Sequence, residues 1–256
     1  MAELLFYNEY ELFYKMANES KAFRSFCKEA YGEDFSQDGF SNINQINRIL
    51  KYIPHKKDAR ILDVGCGKGK MLGYLQEKTG AFIYGFDYSI NAINEAKSLY
   101  PYNSEFKCGC IGEIDYPKYS FDLIILMDSI YFAPDLFSFI DQMMEWLKPD
   151  GKIFVAYQEG DVIPKTENIN TTILGKTLKD KGISFMMEDI TRESYDMLLK
   201  KREVALKYEK IFKEEGNEEW YNFLIWQTDY ANVSFEEFFK KMARYIFIID
   251  KKGIYR

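Results

Sequence analysis

Apolar and aromatic residues recur at helical spacing over residues 3–17 and 20–31, with Ser20 placed to cap the second stretch and Gly32 to stop it. Two helices are therefore predicted before anything strand-like appears. The polar, glycine-punctuated run 31–40 reads as a loop, and 42–53, with Ile43, Ile46, Ile49 and Leu50 on one face, predicts a third helix. From residue 61 the period changes. Short apolar runs at 61–64, 82–86, 105–109, 121–127 and 152–157 alternate with helical stretches at 70–79, 90–99 and 134–147, the last opened by Pro134. Such alternation predicts βαβ units and a parallel sheet. A helix at 168–182 and a strand at 184–190 follow. Residues 191–241 are then almost wholly helical in pattern and rich in Glu and Lys, before 244–250 returns to a β run.

The densest chemistry lies where the first strand meets its helix. Residues 60–70 read Arg-Ile-Leu-Asp-Val-Gly-Cys-Gly-Lys-Gly-Lys, a buried strand running into a Gly-x-Gly-x-Gly turn. Glycines remove Cβ atoms where the backbone must turn sharply and let a ligand press against it, while the following helix presents free N–H groups. This is a nucleotide-type site. A dinucleotide fingerprint wants a third small residue three places after Gly67, and that position is Lys70. The phosphate loop of nucleotide hydrolases needs Ser or Thr after Gly-Lys, and here Gly69 or Met71 follows instead. Asp63, two residues before the first glycine, would repel a pyrophosphate but suits a ligand that carries an ammonium group.

On these residues the chain resembles the class I S-adenosylmethionine-dependent methyltransferases, whose first motif looks like Leu62-Asp63-Val64-Gly65-Cys66-Gly67-Lys68-Gly69. The likeness continues through a second strand ending at Asp87, 24 residues after Asp63, and through the segment 106–122. It extends to Phe121-Asp122-Leu123-Ile124-Ile125-Leu126-Met127 as a fourth strand and to Trp146-Leu147-Lys148-Pro149-Asp150-Gly151-Lys152 as the turn into a fifth. The loop 31–40 is similar to the segment before the first motif in phosphoethanolamine and related small-molecule methyltransferases. That implies a loop over the cofactor, a plain connection between helices being the alternative.

The resemblance implies S-adenosyl-L-methionine as cofactor, S-adenosyl-L-homocysteine as product and a small-molecule acceptor methylated on nitrogen or oxygen. It places Asp63, Gly65, Cys66 and Gly67 in the cofactor site, Asp87 on the ribose hydroxyls with Tyr88 beside it, Cys110 and Ile111 at the adenine, and Met127 towards the methionine part. Asp128 is expected to orient or deprotonate the acceptor and Tyr131 to pack on a cationic one, a helix-capping Asp and a core Tyr being the plainer roles. Many relatives hold an acid near the adenine amine where this chain has Cys110. A thiol is a weak acceptor, so recognition there would fall to the backbone around Ile111 and to Glu113. No Asn-Pro-Pro-Tyr-like segment, the mark of exocyclic-amine methylation on bases or glutamines, follows the fourth strand. Methyl transfer from a sulfonium needs alignment and exclusion of water rather than a triad. The single histidine, His55, in an expected exposed loop, fits that.

Composition narrows the partners. With 256 residues, 47% hydrophobic and 17% aromatic, the chain can build one large core and still spare rings to line a pocket. A net charge of −6 disfavours DNA or RNA, whose phosphates demand a basic face. No run approaches the ~20 apolar residues of a membrane helix and the N-terminus lacks a leader pattern, so a soluble cytoplasmic protein is expected. Four cysteines are expected as buried free thiols, since Cys108-Gly-Cys110 has only His55 to complete a zinc site.

The expected architecture is α/β: a Rossmann-like, doubly wound, mostly parallel seven-stranded sheet with N-terminal helices and a helical insertion before the last strand. Its expected parts are a helical cap at 1–53, a core at 54–191 and 243–256, and the insertion at 192–242. The family usually joins its last two strands by a short turn, and here roughly fifty residues intervene. The insertion is read as a lid or substrate cap, with a dimer surface, and hence a homodimer, as the other reading. Two further classes stand beside the small-molecule enzyme: a methyltransferase acting on protein or RNA, and a non-catalytic cofactor-binding protein of this fold. The retained Asp63 and glycines weigh against the second.

Overall fold

The computed structural model describes residues 6–167 and 171–254. Its strands are β1 (Arg60–Val64), β2 (Phe82–Asp87), β3 (Ser104–Cys108), β4 (Phe121–Met127), β5 (Leu147–Glu159), β6 (Ile183–Asp189) and β7 (Ala243–Ile254). They form one sheet in the order β3-β2-β1-β4-β5-β7-β6. The pairs β1–β2, β1–β4, β2–β3 and β4–β5 are parallel, and β7 runs antiparallel to both β5 and β6. The mostly parallel, seven-stranded sheet expected from the sequence is thus present. Its runs are apolar on both faces because both faces are covered. Ile61, Leu123 and Ile125 pack on one side with Leu72, Leu75 and Ile93, while Leu62, Val64, Ile124 and Leu126 pack on the other with Phe139 and Trp146.

The first side carries α3 (Ile43–Ile49), α4 (Lys70–Thr79) and α5 (Ile90–Leu99), the second α6 (Leu136–Trp146) and α7 (Ile173–Asp180). Local chemistry moved several boundaries. The carboxylate of Asp135 accepts the Ser138 N–H at 3.2 Å and starts α6 there, leaving Pro134 outside the helix. Asn42 caps α3, which tightens into a 3-10 turn at Leu50–Tyr52 instead of running on as α-helix to residue 53. Thr172 caps α7 by accepting the Gly175 N–H at 3.1 Å, so that helix begins later than expected; residues 168–170 of the expected span lie outside the described residues. The ladder of β5 begins at Leu147, opposite Phe121, ahead of the expected residue 152. Residues 3–5 of the first expected helix also lie outside the described residues.

A third apolar cluster stands apart from the sheet. It joins α1 (Tyr7–Glu19) and α2 (Lys21–Tyr31) to α8 (Thr191–Glu214), α9 (Glu218–Thr228) and α10 (Phe235–Lys241) through Phe13, Phe23, Phe26, Leu198, Phe212 and Phe238. Polar contacts reinforce the join. Ser20 caps α2 and donates its hydroxyl to Glu215 Oε2 at 2.5 Å, while Glu215 Oε1 accepts the N–H groups of Lys21 and Ala22. The insertion is rooted at both ends: the Arg244 N–H donates to Thr191 Oγ1 at 3.0 Å and the Ile190 N–H to the Arg244 carbonyl at 2.9 Å. Since β6 runs parallel to β1, both roots sit at the carboxyl edge of the sheet, where open α/β folds bind ligands. Among the described residues no helix is long and apolar enough to cross a membrane.

Candidate functional site

At that edge a cavity of about 890 Å³ opens between the sheet, α1, the loop 35–41 and the insertion. β1 delivers Asp63 to its floor, and the chain then turns so sharply that the N–H groups of Gly65 and Cys66 both donate to the Phe86 carbonyl. Gly65 adopts φ +78° and a Cβ there would lie 2.8 Å from the Ser129 side chain; Gly67 adopts φ +51° and its Cβ would lie 2.7 Å from the Tyr14 hydroxyl. Both positions demand glycine, for conformation and for space. Cys66 packs beneath, with burial pushing its thiol up.

Two buried carboxylates define the floor. Asp87, at the end of β2, accepts the Gly67 N–H on Oδ2 and the Ser89 N–H on Oδ1, each at 2.9 Å. Burial pushes its pKa up to about 6 against the pull of those two donors. Asp63 is 3% exposed and its Oδ1 has no hydrogen-bond partner. Burial first, and the Asp87 charge second, push it to about 8. An orphaned, buried acceptor beside a glycine cradle is an opening for a cationic ligand group with donors to spare.

Further along the wall lie Tyr88, Cys110, Ile111 and Met127. Cys110 is partly exposed, its thiol pushed up by burial and then by Glu113, which stands beside it without lining the cavity. Cys108 is exposed, so the expectation of four buried thiols holds for Cys27 and Cys66 alone: Cys108 ends an edge strand with few neighbours to cover it. His55 is exposed as expected, and no group of side chains suited to a metal occurs among the described residues.

Asp128 follows β4 in the left-handed region, φ +60°. Both of its oxygens are taken by Arg244, at 2.6 and 2.7 Å, and Arg244 itself is 1% exposed. The same guanidinium donates to Gln158 Oε1 at 3.2 Å and to Ser41 Oγ at 2.7 Å. One side chain thus ties β4, β5, β7 and the covering loop together. Tyr131 lines the cavity, its hydroxyl accepting the Gln158 N–H and its ring lying 5.6 Å from Tyr157.

All eleven residues singled out from the sequence line this one cavity. The crowded aromatics Trp220, Tyr221, Phe223 and Trp226 are expected from the sequence to pack on the core or wall a pocket; the rest of the cavity's other wall it did not reveal. Tyr10 and Tyr14 of α1 reach over the floor, and the Tyr10 phenol is pushed up by burial and then by Asp38, Tyr88, Asp87 and Asp128, which puts it at the meeting point of both halves. The insertion contributes Trp220, Phe223, Trp226 and Tyr230, while Tyr221 of the same aromatic run turns into the third apolar cluster. A fully buried Lys201 donates to Gln227 Oε1 at 2.6 Å, and Gln227 Nε2 donates to Asp38 at 2.8 Å. The only sequence signal for these was aromatic crowding. A lone Arg opening a β run and a Lys within a Lys-rich helix carry none.

A family profile described as a methyltransferase domain matches residues 40–220. Phosphoethanolamine N-methyltransferase 1 of Zea mays is 28% identical over 191 residues, which cover 66% of this chain and 37% of that protein. The Plasmodium falciparum phosphoethanolamine N-methyltransferase is 24% identical over 222 residues, covering 85% of this chain and 78% of that one. The chain thus spans well under half of the plant relative and most of the parasite one. Among solved structures, Haemonchus contortus phosphoethanolamine N-methyltransferase 2 in complex with phosphomonomethylethanolamine and S-adenosylhomocysteine superposes with a TM-score of 0.74 at 18% identity. That match covers 93% of this chain and 60% of the other; at such identity it speaks for the fold.

Proposed function

From the premise that this chain belongs to the methyltransferase-domain family, we propose that it transfers a methyl group from S-adenosyl-L-methionine to nitrogen or oxygen of a small molecule. The observation that carries the reading is the unpartnered Asp63 Oδ1 buried beside the Gly65–Gly67 turn and Asp87. The cofactor supplies an electrophilic methyl on a sulfonium. Asp63 holds its ammonium group, Asp87 accepts from the ribose hydroxyls with the lone pairs its two backbone donors leave free, and Tyr88, Cys110 and Ile111 flank the base. A neighbouring cation makes ionisation of Asp63 favourable, so a residue neutral in the empty site becomes a counter-charge in the filled one.

On the acceptor side we assign Asp128 an orienting role. A carboxylate held at both oxygens by one guanidinium is a fixed point of reference. Tyr131 supplies a wall. The aromatics of α1 and of the insertion exclude water from the reacting atoms, which favours reading 192–242 as a substrate cap. Calorimetric titration tests the function: S-adenosylhomocysteine should bind and NAD should not. Binding of NAD with no response to S-adenosylhomocysteine would sink the reading.

A further inference from the structure

The charge distribution of the same cavity narrows the class of acceptor. Its lining carries eight carboxylates and three lysines. Two of those lysines are engaged at the cofactor end: Lys68 contacts Asn18 and Glu95, and Lys70 contacts Asp34 and Ser36. Lys15 is solvent-exposed on α1. Arg244 is taken by Asp128, and Lys201 reaches Gln227. Among the described residues, then, no buried cation faces the acceptor half unengaged.

The acidic side is built rather than incidental. Lys201 is fully buried and donates to the Gln227 oxygen, so the Gln227 amide must present its NH₂ to Asp38, fixing that carboxylate from behind. Gln227 is itself 8% exposed. Across the cavity Asp161 accepts from the Tyr230 hydroxyl at 3.4 Å. Burial pushes Asp161 up against the pull of the Tyr230 hydroxyl, with Asp38 and Asp128 adding to the rise and the Lys201 ammonium opposing it, so three carboxylates and one buried ammonium share one region. Phe40, Phe223, Trp226 and Tyr230 line the cavity beside them, with ring centroids 5.7 Å apart for Phe223 and Trp226 and 6.2 Å for Trp226 and Tyr230; the Phe40 ring already has Lys201 Nζ at 5.6 Å and the Arg244 guanidinium at 5.8 Å. Aromatic faces and carboxylates both attract an organic cation and both repel an anion.

We propose that the acceptor is an amine on an apolar body, bound as its ammonium between Asp38, Asp161 and these aromatic faces, and carrying no phosphate. The proposal rests on the methyltransferase reading of the cavity but adds to it. A phosphomonoester carries close to two negative charges at neutral pH and would meet Asp38, Asp128 and Asp161 against one guanidinium already spanned by Asp128 and one buried ammonium, Lys201, set behind Gln227. This separates the chain from the relatives whose names specify phosphoethanolamine. An ammonium held beside Asp161 also has an acceptor at hand for the N–H proton it must lose before its lone pair can attack.

The test uses the full chain, with and without saturating S-adenosylhomocysteine, and reads the fluorescence of the lining residues Trp220 and Trp226. The probes are 2-phenylethylamine, 2-phenylethanol, 3-phenylpropionate and phosphoethanolamine. The amine should bind about tenfold more tightly than the alcohol, the carboxylate weaker still, and phosphoethanolamine without saturation. In D38N/D161N the preference for amine over alcohol should fall within about twofold while S-adenosylhomocysteine affinity stays at wild type, which also certifies folding. Equal binding of amine and alcohol, tighter binding of phosphoethanolamine, no saturable binding of the amine, or an undiminished preference in the double variant would each overturn the proposal. Failure of S-adenosylhomocysteine to bind would instead overturn the methyltransferase reading, and the probe series without it would still report the charge preference.

Discussion

Asp63→Asn should stabilise the empty protein while crippling its cofactor site, and the pH dependence of the gain identifies the cause. The carboxyl is 3% exposed with one oxygen orphaned, and its pKa moves from 3.8 in the unfolded chain to about 8 in the fold. Between those values folding must take up a proton. Asp63 therefore costs nothing below pH 3.8, and its cost grows as pH rises to about 8, where the folded group ionises. One pKa unit corresponds to about 1.4 kcal/mol, so the full cost near pH 8.5 is on the order of 5 kcal/mol, of which local relaxation and water leave about half. Asparagine has the same shape and no charge. Its melting temperature should exceed wild type by a margin that widens by roughly 5 °C between pH 5.5 and 8.5, at about 2–4 °C per kcal/mol for this size. In calorimetry, S-adenosylhomocysteine binding to wild type at pH 7 should release a proton, because the ligand ammonium ionises Asp63. The variant should release none and lose about 10- to 100-fold in affinity. Parallel melting curves across that pH range, with unchanged affinity and proton release, would refute the argument that burial and ligand charge jointly set this residue.

Asp87→Asn should weaken S-adenosylhomocysteine binding by about tenfold or more through its ribose bonds, whereas Asp128→Asn should leave that affinity within about threefold and lower turnover, as calorimetry and a methyl-transfer assay would separate. Arg244→Met strands the Asp128 carboxylate and unties Ser41 and Gln158, so a loss of about 3–5 kcal/mol should appear in denaturant unfolding, largely relieved in Arg244→Met/Asp128→Asn. Gly67→Ala forces a Cβ against the Tyr14 hydroxyl at positive φ and should cost at least about tenfold in cofactor affinity, recovered in part by Tyr14→Ala. Trp220→Ala/Trp226→Ala should leave cofactor affinity within about threefold and raise the acceptor KM, which steady-state kinetics would show; an unchanged KM would mean the insertion serves something other than the acceptor.

The glycine turn and the two carboxylates beside it were legible because their determinants are local. Gly65 and Gly67 are dictated by a turn that follows β1 in the chain, and Asp63 and Asp87 sit at fixed distances from strand ends, so pattern and spacing reach them. The sheet was legible for the same reason: strand period, helix period and short connections allow few topologies. Helix boundaries slipped where a single side chain intervened, as Asp135 did ahead of α6. The long-range contacts around the cavity are different in kind. Arg244 meets Asp128 across 116 positions, Gln227 meets Asp38 across 189, and Glu215 caps α2 from 195 positions away. Nothing in a window of sequence marks such partners, because long-range pairing depends on where the insertion folds back over the sheet edge. The sequence by itself determined that a cofactor-type turn and a parallel sheet would form. Only the tertiary structure decided which charges remain unpaired in the cavity, because a carboxylate's effect depends on the guanidinium, amide or solvent that packing brings to it.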